Sequence, residues 1–156
     1  MEAILTAIAA SDIATAVRLS RWLYAAVNTA HVLGIALLVG SIIPLDLRLM
    51  GAWGGVARDG LVRVLIPVAA AGLVLAMCTG ALLFATRAPE YAAIPLFLAK
   101  LALVATGAGS ALALHFVHGF RLAGAGRGRL AWASALSMTC WLGALIAGRL
   151  LAFVSE

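Results

Sequence analysis

Two side chains in this sequence have types and positions that invite chemistry. His31, in NTAHVLGIALLVG, and Met77, in AAAGLVLAMCTG, each lie inside a run apolar enough to cross a bilayer. An ionisable side chain in hydrocarbon is costly; as a rule it faces a bundle interior and marks function. If the two runs are antiparallel helices, His31 lies about nine residues and Met77 about eight from the same end. At 1.5 Å per residue the two then share a depth. Imidazole nitrogen and thioether sulfur at one depth on neighbouring helices are the His/Met pair that holds a haem iron. Gly34 and Gly80, one turn from His31 and Met77, would leave room for a porphyrin face. The plainer reading makes Met77 a gap-filling core residue and His31 a neutral imidazole hydrogen-bonded to Asn28 or to a neighbouring helix.

A third apolar run carries Lys100 near one end and His115 and His118 near the other. Lys100 and His115 are fifteen residues apart, or about 22 Å on a helix, and cannot serve one small site. Lys100 either snorkels to the interface or turns inward to pair with a haem propionate. Arg18, Arg21 and Arg87 flank the same end; they suit propionates through charge-assisted hydrogen bonds, or lipid headgroups as ordinary anchors. His115 is a candidate ligand for a second metal or haem, with Met138 nearest by depth, and His118 reads as interfacial. A copper site would draw on Met77, Cys78, Met138, Cys140 and the histidines, since soft ligands suit Cu(I).

The elements that must position these residues follow from composition. The chain has 156 residues, 65% of them hydrophobic and 11% charged, whereas a soluble domain carries about a quarter charged. Four runs reach the roughly twenty apolar residues that cross a bilayer: near Trp22–Ile43, Leu61–Ala85, Pro95–Phe116 and Leu130–Phe153. In lipid such spans are helices, because every backbone polar group must be satisfied internally. The intervening segments, PLDLRLMGAWGGVARDG, TRAPEYAAI and HGFRLAGAGRGR, hold the Pro, Gly and charged residues that end helices. Short loops make consecutive helices antiparallel neighbours, so the expected fold is an all-α, integral membrane four-helix bundle. In this reading Asp46–Arg48 is a local ion pair or a helix terminus.

Residues 1–20 place Ile4, Leu5, Ile8, Ala9, Ile13 and Val17 at helical spacing, as in an amphipathic helix lying in the interface. Gly72, Ala76 and Gly80, and then Gly107 and Ala111, recur every four residues, which lets helix backbones approach closely. Trp22, Trp53 and Trp132 suit an interfacial belt; Trp141 suits either the belt or the core. Six arginines fall on one side (Arg48, Arg58, Arg63, Arg121, Arg127, Arg129) and four on the other (Arg18, Arg21, Arg87, Arg149). The positive-inside tendency puts the first set in the cytoplasm and both termini outside.

Several functions are excluded or disfavoured. The net charge of +5 is not gathered into a basic stripe with aromatics, so no nucleic-acid partner is expected. GAGRGR lacks the strand and downstream context of a phosphate loop. Neither a pair of carboxylates in a span, a Ser/His/Asp set nor a CxxC is found, and the two cysteines sit in apolar runs rather than in a disulfide framework.

The stretch WLYAAVNTAHVLGIALLVGSIIPLDLRLMG, followed by LFLAKLAL, resembles an uncharacterised family of small four-helix bacterial membrane proteins. More distantly it is similar to the membrane domain of CopD-type copper resistance proteins and to HemJ-type protoporphyrinogen oxidases. The likeness covers the first three spans and is sharp at His31 with its glycines, the DLRL segment and Lys100. It implies a bacterial cytoplasmic membrane location, haem b held by His31, and Lys100 near the propionates or the substrate. The expected function is electron transfer by a membrane haem b protein, with His31 and Met77 as axial ligands and Lys100, Arg21, Gly34 and Gly80 around the cofactor. Quinol or a partner subunit would be the donor, and the protein would work with a protein partner or as a homo-oligomer. The alternatives are a CopD-like copper-handling protein and a cofactor-free accessory subunit.

Overall fold

The computed structural model describes residues 2–118 and 126–154. Its elements, in chain order, are α1 (Glu2–Ala9), α2 (Asp12–Leu19), α3 (Arg21–Met50), α4 (Arg58–Thr86), α5 (Ala88–Ala92), α6 (Pro95–His118) and α7 (Arg127–Val154). No strand occurs among the described residues. The helices α3, α4, α6 and α7 are long and apolar enough to cross a membrane. The side chain of His118 and the whole of Arg121 lie outside the described residues.

The expected single helix over residues 1–20 is two helices. Ser11 breaks it: its hydroxyl donates to the Ile8 carbonyl at 2.7 Å and accepts from the Ala14 amide, capping α2. That cap turns Ala14 and Val17 inward, where both are buried, while Ile4 and Ile13 stay exposed. Arg18 then ties the N-terminal pair to α4 by donating to the carbonyls of Ala9 (3.4 Å) and Thr86 (3.2 Å).

The first long helix runs past its expected end at Ile43. Pro44 lies inside α3, and the helix continues to Met50, ending where Gly51 takes a left-handed φ of 113°. Proline removes one backbone hydrogen bond and crowds the carbonyl four residues back, here that of Gly40. The apolar spacing Leu38, Ile42, Leu45, Leu49 continues one buried stripe through the proline, and its packing outweighs the lost bond. Arg48 is not paired with Asp46; its guanidinium donates to the carbonyls of Val56 (2.8 Å) and Gly54 (3.4 Å) and folds the following loop back on the helix end.

Consecutive helices are not all neighbours. The helix α3 packs on both α4 and α7, and α6 packs on α7, but no Cα of α4 comes within 8 Å of one of α6. Two hairpins, α3–α4 and α6–α7, are joined through α3 and α7, and the backbones of α4 and α6 stay apart. The α3–α4 seam rests on a glycine pair. A Cβ on Gly34 would lie 2.6 Å from the Ala76 nitrogen, and one on Gly72 would lie 2.6 Å from the Leu38 nitrogen. Gly107 does similar work on the other hairpin, lying against Trp141 and Cys140 of α7. Leu38, Ala69 and Trp141 form the buried centre, with Leu73, Val104 and Ala108 packed around it.

Candidate functional site

The gap between α4 and α6, floored by α3 and α7, holds two cavities. The first, of about 250 Å³, lies toward the end carrying the N-terminal helices and is bordered by His31, Met77, Gly80, Lys100, Phe84 and Phe97 among others. Phe84 of α4 and Phe97 of α6 close its outer end by stacking with centroids 5.3 Å apart. Tyr91 of α5 leans on Phe97 at 5.6 Å; burial, with Tyr24 beside it, pushes its phenol above the ordinary range.

The bonding of His31 fixes its tautomer. The Thr79 hydroxyl donates its single hydrogen to the Leu75 carbonyl at 2.6 Å. It therefore meets His31 Nδ1, 3.1 Å away, as an acceptor. The other neighbour of Nδ1 is the Ala76 carbonyl at 3.0 Å, also an acceptor. Two acceptors on one nitrogen require that Nδ1 carry the hydrogen, so the neutral ring keeps its lone pair on Nε2. A histidine whose Nδ1–H is held by a backbone carbonyl is oriented to offer Nε2 to a metal.

The expected cluster is partly assembled and partly redistributed. His31, Met77, Gly80 and Lys100 border one cavity. Lys100 turns inward, with its Nζ over Gly148 of α7, where an added Cβ would meet it at 3.4 Å. Gly80 faces the His31 imidazole: a Cβ there would come 3.0 Å from Cε1. Gly34 faces no cavity, because the α3–α4 seam consumes it. Arg21 stays outside the cavity and stacks over Trp22 at 5.3 Å. Arg18 is bonded to backbone carbonyls, and Arg87 forms an exposed pair with Glu90 at 3.6 Å. Of the basic residues expected near propionates, Lys100 alone lines the cavity.

The soft ligands are dispersed. Cys78 is exposed and Cys140 buried; Met138 borders neither cavity. Among the described residues no three His, Cys, Asp or Glu side chains gather as a metal group.

The second cavity, of about 340 Å³, lies toward the opposite end and includes His115, with Asp46, Ser134 and Ser137. His115 is thereby separated from His31. Asp46 is the functional candidate that the sequence reading missed. It is only 5% exposed and faces the Ser134 and Ser137 hydroxyls of α7. Two signals pointed to it: the apolar stripe that continues through Pro44, and the Ser134, Ser137, Trp141 spacing on one face of α7.

No family model, curated protein or solved structure matches this chain.

Proposed function

We propose that this chain is a multi-pass haem b protein of the bacterial cytoplasmic membrane, with periplasmic termini, that passes electrons. The observation that carries the reading is the fixed tautomer of His31, whose Nε2 lone pair belongs to an apolar cavity shared with Met77 and Lys100. Haem b, when bound, supplies one-electron chemistry at an iron whose potential follows from its axial ligands and surroundings. The chain's own residues have definite tasks. His31, oriented by Ala76 and Thr79, would hold the iron through Nε2, and Met77 would offer its sulfur as the other ligand. Gly80 leaves space for the imidazole. Lys100 pairs with a carboxylate of the cofactor, and the apolar walls keep water away. The cavity, of about 250 Å³, is smaller than a haem, so binding would require α4 and α6, whose backbones do not touch, to part further.

The test is an absorption spectrum of gently solubilised protein, oxidised and dithionite-reduced, with metal analysis of the same sample. The expected result is a Soret band and a reduced α-band, both lost in His31→Ala. Protein that stays colourless when produced in haem-replete cells overturns the reading. If it is also free of copper and travels with larger subunits, the accessory-subunit reading takes its place.

A further inference from the structure

Among the buried polar atoms at the second cavity, Asp46 Oδ2 and Trp141 Nε1 have no hydrogen-bond partner among the described residues. Their side chains are 5% and 4% exposed, and both border the cavity. Buried polar groups in folded proteins are hydrogen-bonded as a rule, and each exception needs an explanation. Ser134 and Ser137 of α7 face the Asp46 carboxyl, and two polar atoms of α6 at the same cavity bond within their own helix. Ser110 donates to the Gly107 carbonyl at 2.9 Å, and His115 Nδ1 is bonded to the Ala111 carbonyl at 2.7 Å. A carboxyl oxygen and an indole N–H, from α3 and α7, are left facing one space.

The walls define what fills it. Among the described residues no arginine or lysine borders the cavity, and the large aromatic rings there are Trp141 and Phe116, the latter exposed. An organic cation is recognised by a cage of aromatic faces, which this is not. A bare metal ion needs a denser set of oxygen, nitrogen or sulfur ligands than the described residues gather. The α4 and α6 sides of the cavity are mainly apolar, Ile66, Ala69 and Leu73 on one and Ala108, Ala111 and Leu112 on the other. The cavity lies where the backbones of α4 and α6 stay apart, the side from which a lipid-dissolved ligand would enter.

We infer that the Asp46–Trp141 cavity binds the uncharged ring headgroup of a membrane-soluble quinone, with one ring carbonyl accepting from the protonated Asp46 carboxyl, an oxygen substituent of the ring accepting from Trp141 Nε1–H, and the apolar tail leaving between α4 and α6. Apolar pockets with a few convergent polar groups are the usual form of a small-molecule site. This site goes beyond the haem reading and does not depend on it: Asp46, Ser134 and Ser137 border the second cavity and not the first, while Trp141 borders both.

The probe is decyl-ubiquinone added to the full-length protein in lipid nanodiscs, read as quenching of tryptophan fluorescence. Trp22, Trp53 and Trp132 are exposed and report quinone dissolved in lipid, as quenching that does not saturate. Trp141 reports the cavity. The expected result is a saturable component that disappears in Trp141→Phe, weakens at least about tenfold in Asp46→Leu, and weakens by about threefold in Asp46→Asn, which keeps the volume and one hydrogen-bonding partner. Should Asp46→Leu fail to fold, Asp46→Asn and the double variant Ser134→Ala/Ser137→Ala read the same affinity. Quenching that never saturates in wild type, or saturable quenching with equal affinity in all Asp46 and serine variants, overturns the proposal. So does tighter binding of tetraphenylphosphonium than of decyl-ubiquinone, which makes the cavity a cation site. The haem reading is untouched by any of these outcomes, because the Soret band of His31→Ala is measured on the other cavity.

Discussion

The two cavities are built from the same four helices and share Leu38, Leu73 and Trp141, yet they treat a buried polar side chain in opposite ways. In the His31 cavity the ionisable side chain is fully directed: two acceptors of α4 hold one ring nitrogen and leave the other as a defined lone pair. In the Asp46 cavity a carboxyl oxygen and an indole N–H are left open. An oriented lone pair suits a permanent Lewis acid such as haem iron. Open hydrogen-bonding atoms beside a lateral gap suit a ligand that comes and goes.

That contrast depends first on the shared frame. Gly34→Leu should have the largest effect, because its side chain would run into the α4 backbone, which cannot rotate away. Overpacking costs about 1–3 kcal/mol or more, and here both cavities should fail together, seen as a large fall in the thermal midpoint by fluorescence-detected size exclusion. Loss of one cavity with the other intact would break the picture of a common frame.

His31→Ala comes next, and it should separate the sites: complete loss of the Soret band with unchanged saturable quinone quenching. Asp46→Leu should give the mirror image, and any variant that removes both signals without unfolding would show the cavities to be one site. A smaller effect is expected for Lys100→Met. The haem should remain, but removal of a positive charge beside it disfavours the reduced state, so the midpoint potential should fall in a spectroelectrochemical titration. An unchanged potential would place the Lys100 ammonium away from the cofactor. The smallest effect is that of Thr79→Val, which removes one of two acceptors on Nδ1 while Ala76 remains. A cost of about 1 kcal/mol is expected, read as slightly faster haem loss to an apo-haem acceptor, with the Soret position retained.

Much of this frame is written in the sequence. The four spans follow from hydrophobicity and length, and the structure moves their ends by a few residues except at Pro44. His31 and Met77 are paired by depth, Gly80 by its place one turn from Met77 and Lys100 by the resemblance and its possible propionate pairing, and the four border one cavity. Gly34 was misjudged, since a glycine one turn from a candidate ligand looks the same whether it faces a cofactor or a neighbouring backbone. Asp46 was hidden by Pro44: proline is a strong local stop signal, and only the packing of α3 between α4 and α7 shows that the helix overrides it.

What the sequence determined by itself is therefore what one helix can determine alone: which segments are apolar enough to span, which polar residues they carry, and at what depth. These are local properties, set by transfer from water and by a fixed rise per residue. Which helices touch was decided only in three dimensions. A glycine pair lets α3 and α4 close to backbone contact, while the backbones of α4 and α6, the next long helix in sequence, remain apart. Close packing depends on two complementary surfaces at once, and one strand of sequence describes only one of them. The gap left between α4 and α6, with His31 oriented at one end and Asp46 unsatisfied at the other, is a consequence of that choice of partners.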